Sequence, residues 1–267
     1  MTEEQAQTGA SPIHYEVAAG VATITINSPE RRNVLDATSI LGMREALAAA
    51  AADDAVRVVV LTGAGNTFCA GADLSGATGG DAASFAGSGP RALAELLVDL
   101  LDHPKPTIAR VQGHVAGGGN GLVAACDLAV AVDTAKFAFS EVRVGVAPAV
   151  ISVVCLDKMH RSDGYELLLT GERVLAARVA QAGLVNRVVP VDDLDVAVAE
   201  FVGQLRLGGP AALAATKKLL RQVPTMSRAD AFAWTSDLSA EIFASAEAKD
   251  GMTAFLTRSR PSWAPAE

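Results

Sequence analysis

The chain reads as an α/β domain, and three features carry that reading. Apolar runs with strand character alternate with runs of helical spacing through roughly the first two hundred residues, the order expected of a buried sheet with helices packed on it. Short links join them, holding the Gly, Pro and Asn clusters that end such elements. Hydrophobic residues make up 50% of the 267, enough for a substantial core.

Val21 to Ile26, VATITI, alternates with β-branched residues and stops at the turn cluster NSPERRN, as a strand does. Asp36 then opens a helix to about Ala52, because the apolar residues between them recur at helical spacing. VRVVVLTGAG is a continuous apolar strand ending in glycines. RALAELLVDLLDH, PTIARVQG, GGNGLVAAC and DLAVAVD then repeat helix, strand, helix and strand. Residues 75–90, SGATGGDAASFAGSGP, are so rich in Gly, Ala and Ser that they read either as a mobile loop or as a weak helix. After Gly171 the character changes to helices, in ARVAQAG, VDDLDVAVAEFVGQL, PAALAATKKLL and the stretch from Met226 to Thr257, and only LVNRVVP interrupts them with a short strand. The expected organisation is a polar, disordered start over 1–11, a β/α core over 12–200 and a helical region over 201–267 suited to packing on the core or on another subunit.

Charge and composition exclude several classes. A net charge of −8 and a pI near 5.1, with no compensating Lys/Arg run, argue against binding a phosphate backbone. The start, MTEEQAQTGAS, has neither the basic nor the apolar part of a secretion signal, and the apolar stretches are broken by charge before the ~18 residues of a membrane span. Cys69, Cys126 and Cys155 are an odd number without a close pair, which favours buried thiols in a reducing cytoplasm over disulfides or metal. His14, His103, His114 and His160 are scattered without metal spacing.

Two glycine groups invite a nucleotide reading and fail it. In LTGAGNTFCAGADL, Phe68 stands where the third glycine of a dinucleotide fingerprint belongs, and GGGNGL has the wrong spacing too. No G-x-x-x-x-G-K-[ST] loop occurs. Taken together, however, TFCAGADL (67–74), HVAGGGNGLVAACDLAVA (114–131), KFAFSEVRVGVAPA (136–149) and LTGERVLAARVAQAGLVNRVVP (169–190) resemble the enoyl-CoA hydratase/isomerase, or crotonase, superfamily. The likeness runs nearly end to end, from NSPERRNVLD to GMTAFLTRSRP.

The resemblance implies a spiral of β-β-α repeats with two nearly perpendicular sheets, and C-terminal helices that build a trimer or a hexamer. It implies binding of acyl-CoA thioesters and stabilisation of an enolate oxygen by two backbone N–H groups, which by motif position are those of Ala72 and Gly118. A helix starting at Gly118 adds its positive end, and missing β-carbons at Gly117, Gly118 and Gly119 let the thioester approach the main chain. The alternative for these glycines is close helix–strand packing. Glu141, in SEVRVG, matches the acidic position that moves the proton beside the thioester; in an apolar pocket its pKa should be raised. Its alternative is a solvated loop glutamate.

One departure matters. Typical hydratases carry glutamate in GGG-x-E-L where this chain has Gly121, so the paired carboxylates are incomplete, and Asn120 cannot act as a base. A branch acting on branched glutaconyl-type acyl-CoAs is similar in having GGG-x-G-L followed by SEVRLG-x-x-PA, close to SEVRVGVAPAVIS here. For CoA, the resemblance implies contacts around Ala70, Gly71 and Gly117, at Arg31 in the turn after Pro29, and at Arg258 near the C-terminus; Asp73 belongs to the same loop, with bracing its favoured role. Ser75 replaces a lysine that many relatives carry, and Asp127 reads as ordering a helix-to-strand turn. The leading expectation is a 2-enoyl-CoA hydratase without metal or separate cofactor, CoA being part of the substrate. The alternatives are a double-bond isomerase with one glutamate and a CoA-thioester-binding protein without turnover. The expected partners are the acyl-CoA and further copies of the chain, not nucleic acid or membrane.

Overall fold

The computed structural model describes residues 11–73 and 82–265, with 82–88 described by their backbone. Residues 1–10, Ser75 and the first part of the 75–90 segment lie outside the described residues.

An antiparallel pair, β1 (Ile13–Ala18) and β2 (Val21–Ile26), opens the chain. Pro29 then begins a 3-10 turn, and Asp36 caps α1 (Ala37–Ala52) by accepting from the Ser39 N–H at 2.8 Å while Ser39 Oγ accepts from Asp36 N–H at 2.9 Å. The unit that follows recurs. A strand of five or six residues, β3 (Val58–Gly63), leads into a three-residue strand, β4 (Thr67–Cys69), and then a helix, α2 (Ala82–Asp102). Next come β5 (Thr107–Val111), β6 (His114–Ala116) and α3 (Gly118–Ala125), followed by β7 (Leu128–Val132) and β8 (Lys136–Ala138). Each pass adds a parallel strand to both sheets: β3, β5 and β7 are neighbours in one, β4, β6 and β8 in the other. That is the β-β-α spiral.

The 75–90 segment settles its own ambiguity in part, since α2 already begins at Ala82 and runs through Pro90. Leu93, Leu96, Leu97 and Leu100 bury one face of α2 against the core. The strands of the second sheet escaped the element-by-element reading because three residues cannot display a period of two. After β8 come α4 (Ala149–Lys158), α5 (Arg161–Thr170), β9 (Arg173–Leu175), α6 (Ala176–Gln181), β10 (Arg187–Val189) and α7 (Leu194–Leu207). β9 closes the second sheet antiparallel to β8, and β10 extends the first parallel to β7.

The division expected at residue 200 falls inside α7, which packs as one helix on the first sheet and buries Leu194, Ala197 and Val198 there. Beyond it are α8 (Pro210–Gln222), α9 (Arg228–Phe243) and α10 (Ala246–Thr257). Ser245 breaks the last stretch in two by capping α10, its Oγ accepting from Ala248 N–H at 3.1 Å. No helix among the described residues is long and apolar enough to cross a membrane.

Candidate active site

Residues 70–73 run beside residues 32–35. Ala70 N–H donates to Arg32 O (3.1 Å), Leu35 N–H to Gly71 O (2.8 Å) and Asp73 N–H to Leu35 O (3.1 Å), a parallel bridge centred on Leu35 and Ala72. In a parallel pairing the residue flanked this way turns its own N–H to the other edge, so the Ala72 N–H is directed away from Leu35. Arg31 braces the loop from outside through Asp36 (2.8 Å) and Asp73 (2.5 Å), its side chain 47% exposed.

The second strip is the entry to α3. Gly71, at φ +88°, lies so close to it that a Cβ would stand 2.9 Å from Ala116 O, 3.1 Å from Gly118 N and 3.2 Å from Gly117 Cα. Only glycine meets both the backbone angle and the space. Gly117 is also left-handed, at φ +51°, and a Cβ there would point toward Glu141, 3.7 Å from Oε1. Gly118 N–H is the first of α3, one of the amides a helix leaves without an internal acceptor.

The glycines thus divide the tasks that the sequence reading assigned to them together. At Gly118 a Cβ would meet Leu35 Cδ1 at 3.0 Å and Leu93 Cδ2 at 3.3 Å, and at Gly119 it would meet Cys69 O at 2.6 Å. For those two residues, the missing β-carbons serve packing. Gly117 alone leaves open backbone beside a carboxyl.

Glu141 sits in a 3-10 turn, Ser140–Val144, whose C-terminal cap is Gly145 in the left-handed conformation. Its Oε2 is buried and has no hydrogen-bond partner among the described residues, and burial pushes its carboxyl above the usual glutamate range. It is not a solvated loop residue. Cys155 of α4 lies close enough for the Glu141 charge to raise its thiol further, after burial as the main cause.

Position 121 is closed. A Cβ on Gly121 would stand 2.7 Å from Ile151 Cγ2 and 3.4 Å from Leu97 Cδ1, so the space of a second carboxylate is filled by α4 and α2. Asn120 is fully buried and turns its amide back on the main chain, Nδ2 donating to Ala138 O at 2.9 Å. The sequence offered only a weak hint of this: an Asn in a helix's first turn commonly bonds nearby backbone.

Other expected residues fall outside this arrangement. Arg258 ends α10 at φ +53°, and the contacts described for α10 run to α9, to Ala211 and Ala212 through Glu247, and to Trp263. Asp127 orders the turn after α3, as its side chain accepts from Thr107 N–H (2.7 Å) and pairs with Lys217 Nζ (2.6 Å). His103 is buried between Lys105 and Leu47, and burial lowers its pKa. The three thiols are free and buried.

Comparisons with known proteins place nearly the whole chain in a family. The enoyl-CoA hydratase/isomerase family pattern matches residues 16–265. An enoyl-CoA hydratase of Mycobacterium tuberculosis is 32% identical over 90% of this chain and 91% of its own. The 2,3-dehydroadipyl-CoA hydratase of Escherichia coli is 32% identical over 91% of this chain and 94% of its own. The crystal structure of an enoyl-CoA hydratase from Mycobacterium smegmatis superimposes with a TM-score of 0.89 at 32% identity, over 94% of this chain and 98% of that one. Matched over nearly its whole length by pattern, relatives and fold alike, the chain belongs to the enoyl-CoA hydratase/isomerase family.

Proposed function

We propose that the protein is an enoyl-CoA hydratase that adds water across the 2,3 double bond of an acyl-CoA through an enolate held by the Ala72 and Gly118 N–H groups. The observation that carries this reading is the half-buried carboxyl of Glu141, its Oε2 buried without a partner among the described residues and its Oε1 3.7 Å from where a Cβ on Gly117 would stand, at the entry to α3. A thioester oxygen gains negative charge in the transition state, and donors fixed beforehand stabilise it better than water that must reorient. The N-terminal end of α3 adds to that field.

Gly121 leaves one carboxylate for both proton movements. Ionised Glu141 takes a proton from water as the water oxygen bonds to C3 and the double-bond pair moves toward the thioester. The enolate then returns its pair to C2, which takes the proton back from Glu141. Hydroxyl ends on C3, hydrogen on C2, and the carboxylate is restored. Desolvation makes Glu141 a stronger base than an exposed glutamate, which suits this work.

The CoA part runs along the backbone of Ala70, Gly71 and Gly117 and past the corner made by Arg31 and Asp73, while Arg258 serves a phosphate from a C-terminal helix. CoA is part of the substrate, and the scheme needs no other cofactor. The SEVRVGVAPAVIS wording favours a branched glutaconyl-type acyl group. The exposed apolar residues of α8–α10 support a trimer or hexamer, and three free thiols support a cytoplasmic setting. Loss of enoyl absorbance with crotonyl-CoA or 3-methylglutaconyl-CoA is the expected result. Absorbance gain from a 3-enoyl-CoA without hydration, or binding with neither change, would overturn the reading.

A further inference from the structure

We propose that Asn120 is a positioning residue, which clips the start of α3 to the end of β8 and so sets the Gly118 N–H against Glu141; this rests on the oxyanion reading above. Asn120 Nδ2 donates to Ala138 O at 2.9 Å and toward Gly117 O at 3.3 Å. Ala138 O also accepts the Gly117 N–H at 3.1 Å, and Gly117 O accepts the Asn120 N–H at 2.9 Å. These bonds form one closed set joining the last residue of β8 to the glycine that precedes the proposed oxyanion donor. Glu141 follows Ala138 by three residues. Gly117 holds φ +51° and ψ −125°, a conformation that the free chain does not favour outside glycine and that glycine leaves easily. Nothing in its own side chain can hold it there.

The orientation of the amide follows from these partners, since two carbonyl oxygens must face the nitrogen. Asn120 Oδ1 is therefore turned away, buried and without a hydrogen-bond partner among the described residues. Burying an unsatisfied acceptor lowers stability, and a leucine would fill the same space without that loss. An amide kept under those terms is there for its donor, and what the donor holds is the geometry between Gly118 and Glu141.

Asn120→Leu and Asn120→Ala test this, since both remove the donor while only the second leaves a cavity. The readouts are kcat and KM for an enoyl-CoA, and the ultraviolet band of the enolate formed when a 3-oxoacyl-CoA binds. A shift of about an ångström at a reacting group can lower the rate about 10²-fold, so both variants should lose about 10- to 100-fold in kcat with KM changed less than about threefold, and both should weaken the enolate band. Ile108→Ala, a truncation in the buried β5, should lower Tm and leave kcat per folded molecule and the band unchanged. Wild-type kcat and band in either folded variant, or losses matched by Ile108→Ala, would overturn the clip; if Asn120→Leu does not fold, Asn120→Ala decides. A wild-type protein that gives no enolate band would remove the oxyanion reading and the clip together, whereas a band that survives both substitutions removes the clip alone.

Discussion

The spiral core and the C-terminal helices dispose of their apolar residues in opposite ways. All six residues of β3 are buried, and the core cluster continues through β5, β7 and the facing sides of α1, α2 and α3. Between Pro210 and Thr257 the buried side chains are those of Lys217 and Ala254, while Leu220, Phe232, Phe243, Phe255 and Leu256 are 67–84% exposed. The core is complete within one chain. The helices leave large apolar side chains exposed, the kind of surface that marks an interaction site, here the proposed contact with another copy. Lys217 is one link between the two regions, beside Arg221, which pairs with Asp102 at 2.7 Å; the Lys217 ammonium reaches Asp127 and, at 3.0 Å, Lys105 O, and burial lowers its pKa against the opposing pull of Asp127. Substitutions in the core site should therefore change chemistry or folding, and those on the outer helices should change assembly.

The largest effect is expected at Glu141. Glu141→Gln should lower kcat by ~10²–10⁴ while acyl-CoA binding persists, because an amide cannot shuttle the proton. The same variant should be more stable than wild type at neutral pH. Burial raises the carboxyl's pKa in the fold, so ionising it opposes folding at neutral pH, and this penalty disappears once acid protonates it in both states. The Tm difference should thus shrink to nothing as pH falls below the ordinary glutamate range. In the wild type, kcat/KM should fall on acidification at a pH above that range, since the proposed reaction starts from the ionised form. Wild-type turnover in a folded Glu141→Gln protein would end the assignment.

Next is Gly118→Pro, which deletes the N–H proposed as an oxyanion donor at a helix position where proline is tolerated and should lower kcat by ~10²–10³. Its control is Gly118→Ala, which keeps the N–H and presses only on the movable ends of Leu35 and Leu93. Gly117→Ala is a poorer control, because Gly117 is left-handed and faces Glu141. Equal turnover in the proline and alanine variants would leave Gly118 a packing residue.

A smaller effect tests the closed position. Gly121→Glu alone should cost ~1–3 kcal/mol through overpacking against Ile151 and give no faster hydration of crotonyl-CoA. Paired with Ile151→Gly, the same glutamate gains room and kcat/KM should rise. Faster hydration by the single variant would show that position 121 opens on the reacting carbons. Smallest for the single chain is Phe255→Ser with Leu256→Ser, each expected within ~0.5 kcal/mol because both side chains are exposed. Sedimentation should nevertheless show a lower assembled mass; an unchanged mass would place the contact elsewhere and weaken the contrast between the two regions.

What the sequence determined by itself is what local patterns can encode. VATITI and VRVVVLTGAG announce strands, because alternation and apolar continuity are properties of neighbouring residues, and the stretch from Asp36 to about Ala52 announces a helix because its apolar residues recur at helical spacing. The family resemblance carried by the glycine motifs, with SEVRVG behind them, was enough to imply an acyl-CoA site. It could not say which glycine faces what. That Gly119 meets Cys69, Gly71 meets Gly117, and Gly121 meets Ile151 depends on residues tens of positions apart brought within van der Waals distance by two sheets growing together. The same holds for the three-residue strands, too short to carry a period, and for the Asn120 amide, whose partner in β8 lies 18 residues away. Backbone preference is written locally, but the absence of a second carboxylate becomes a closed wall only when α4 packs Ile151 against α3.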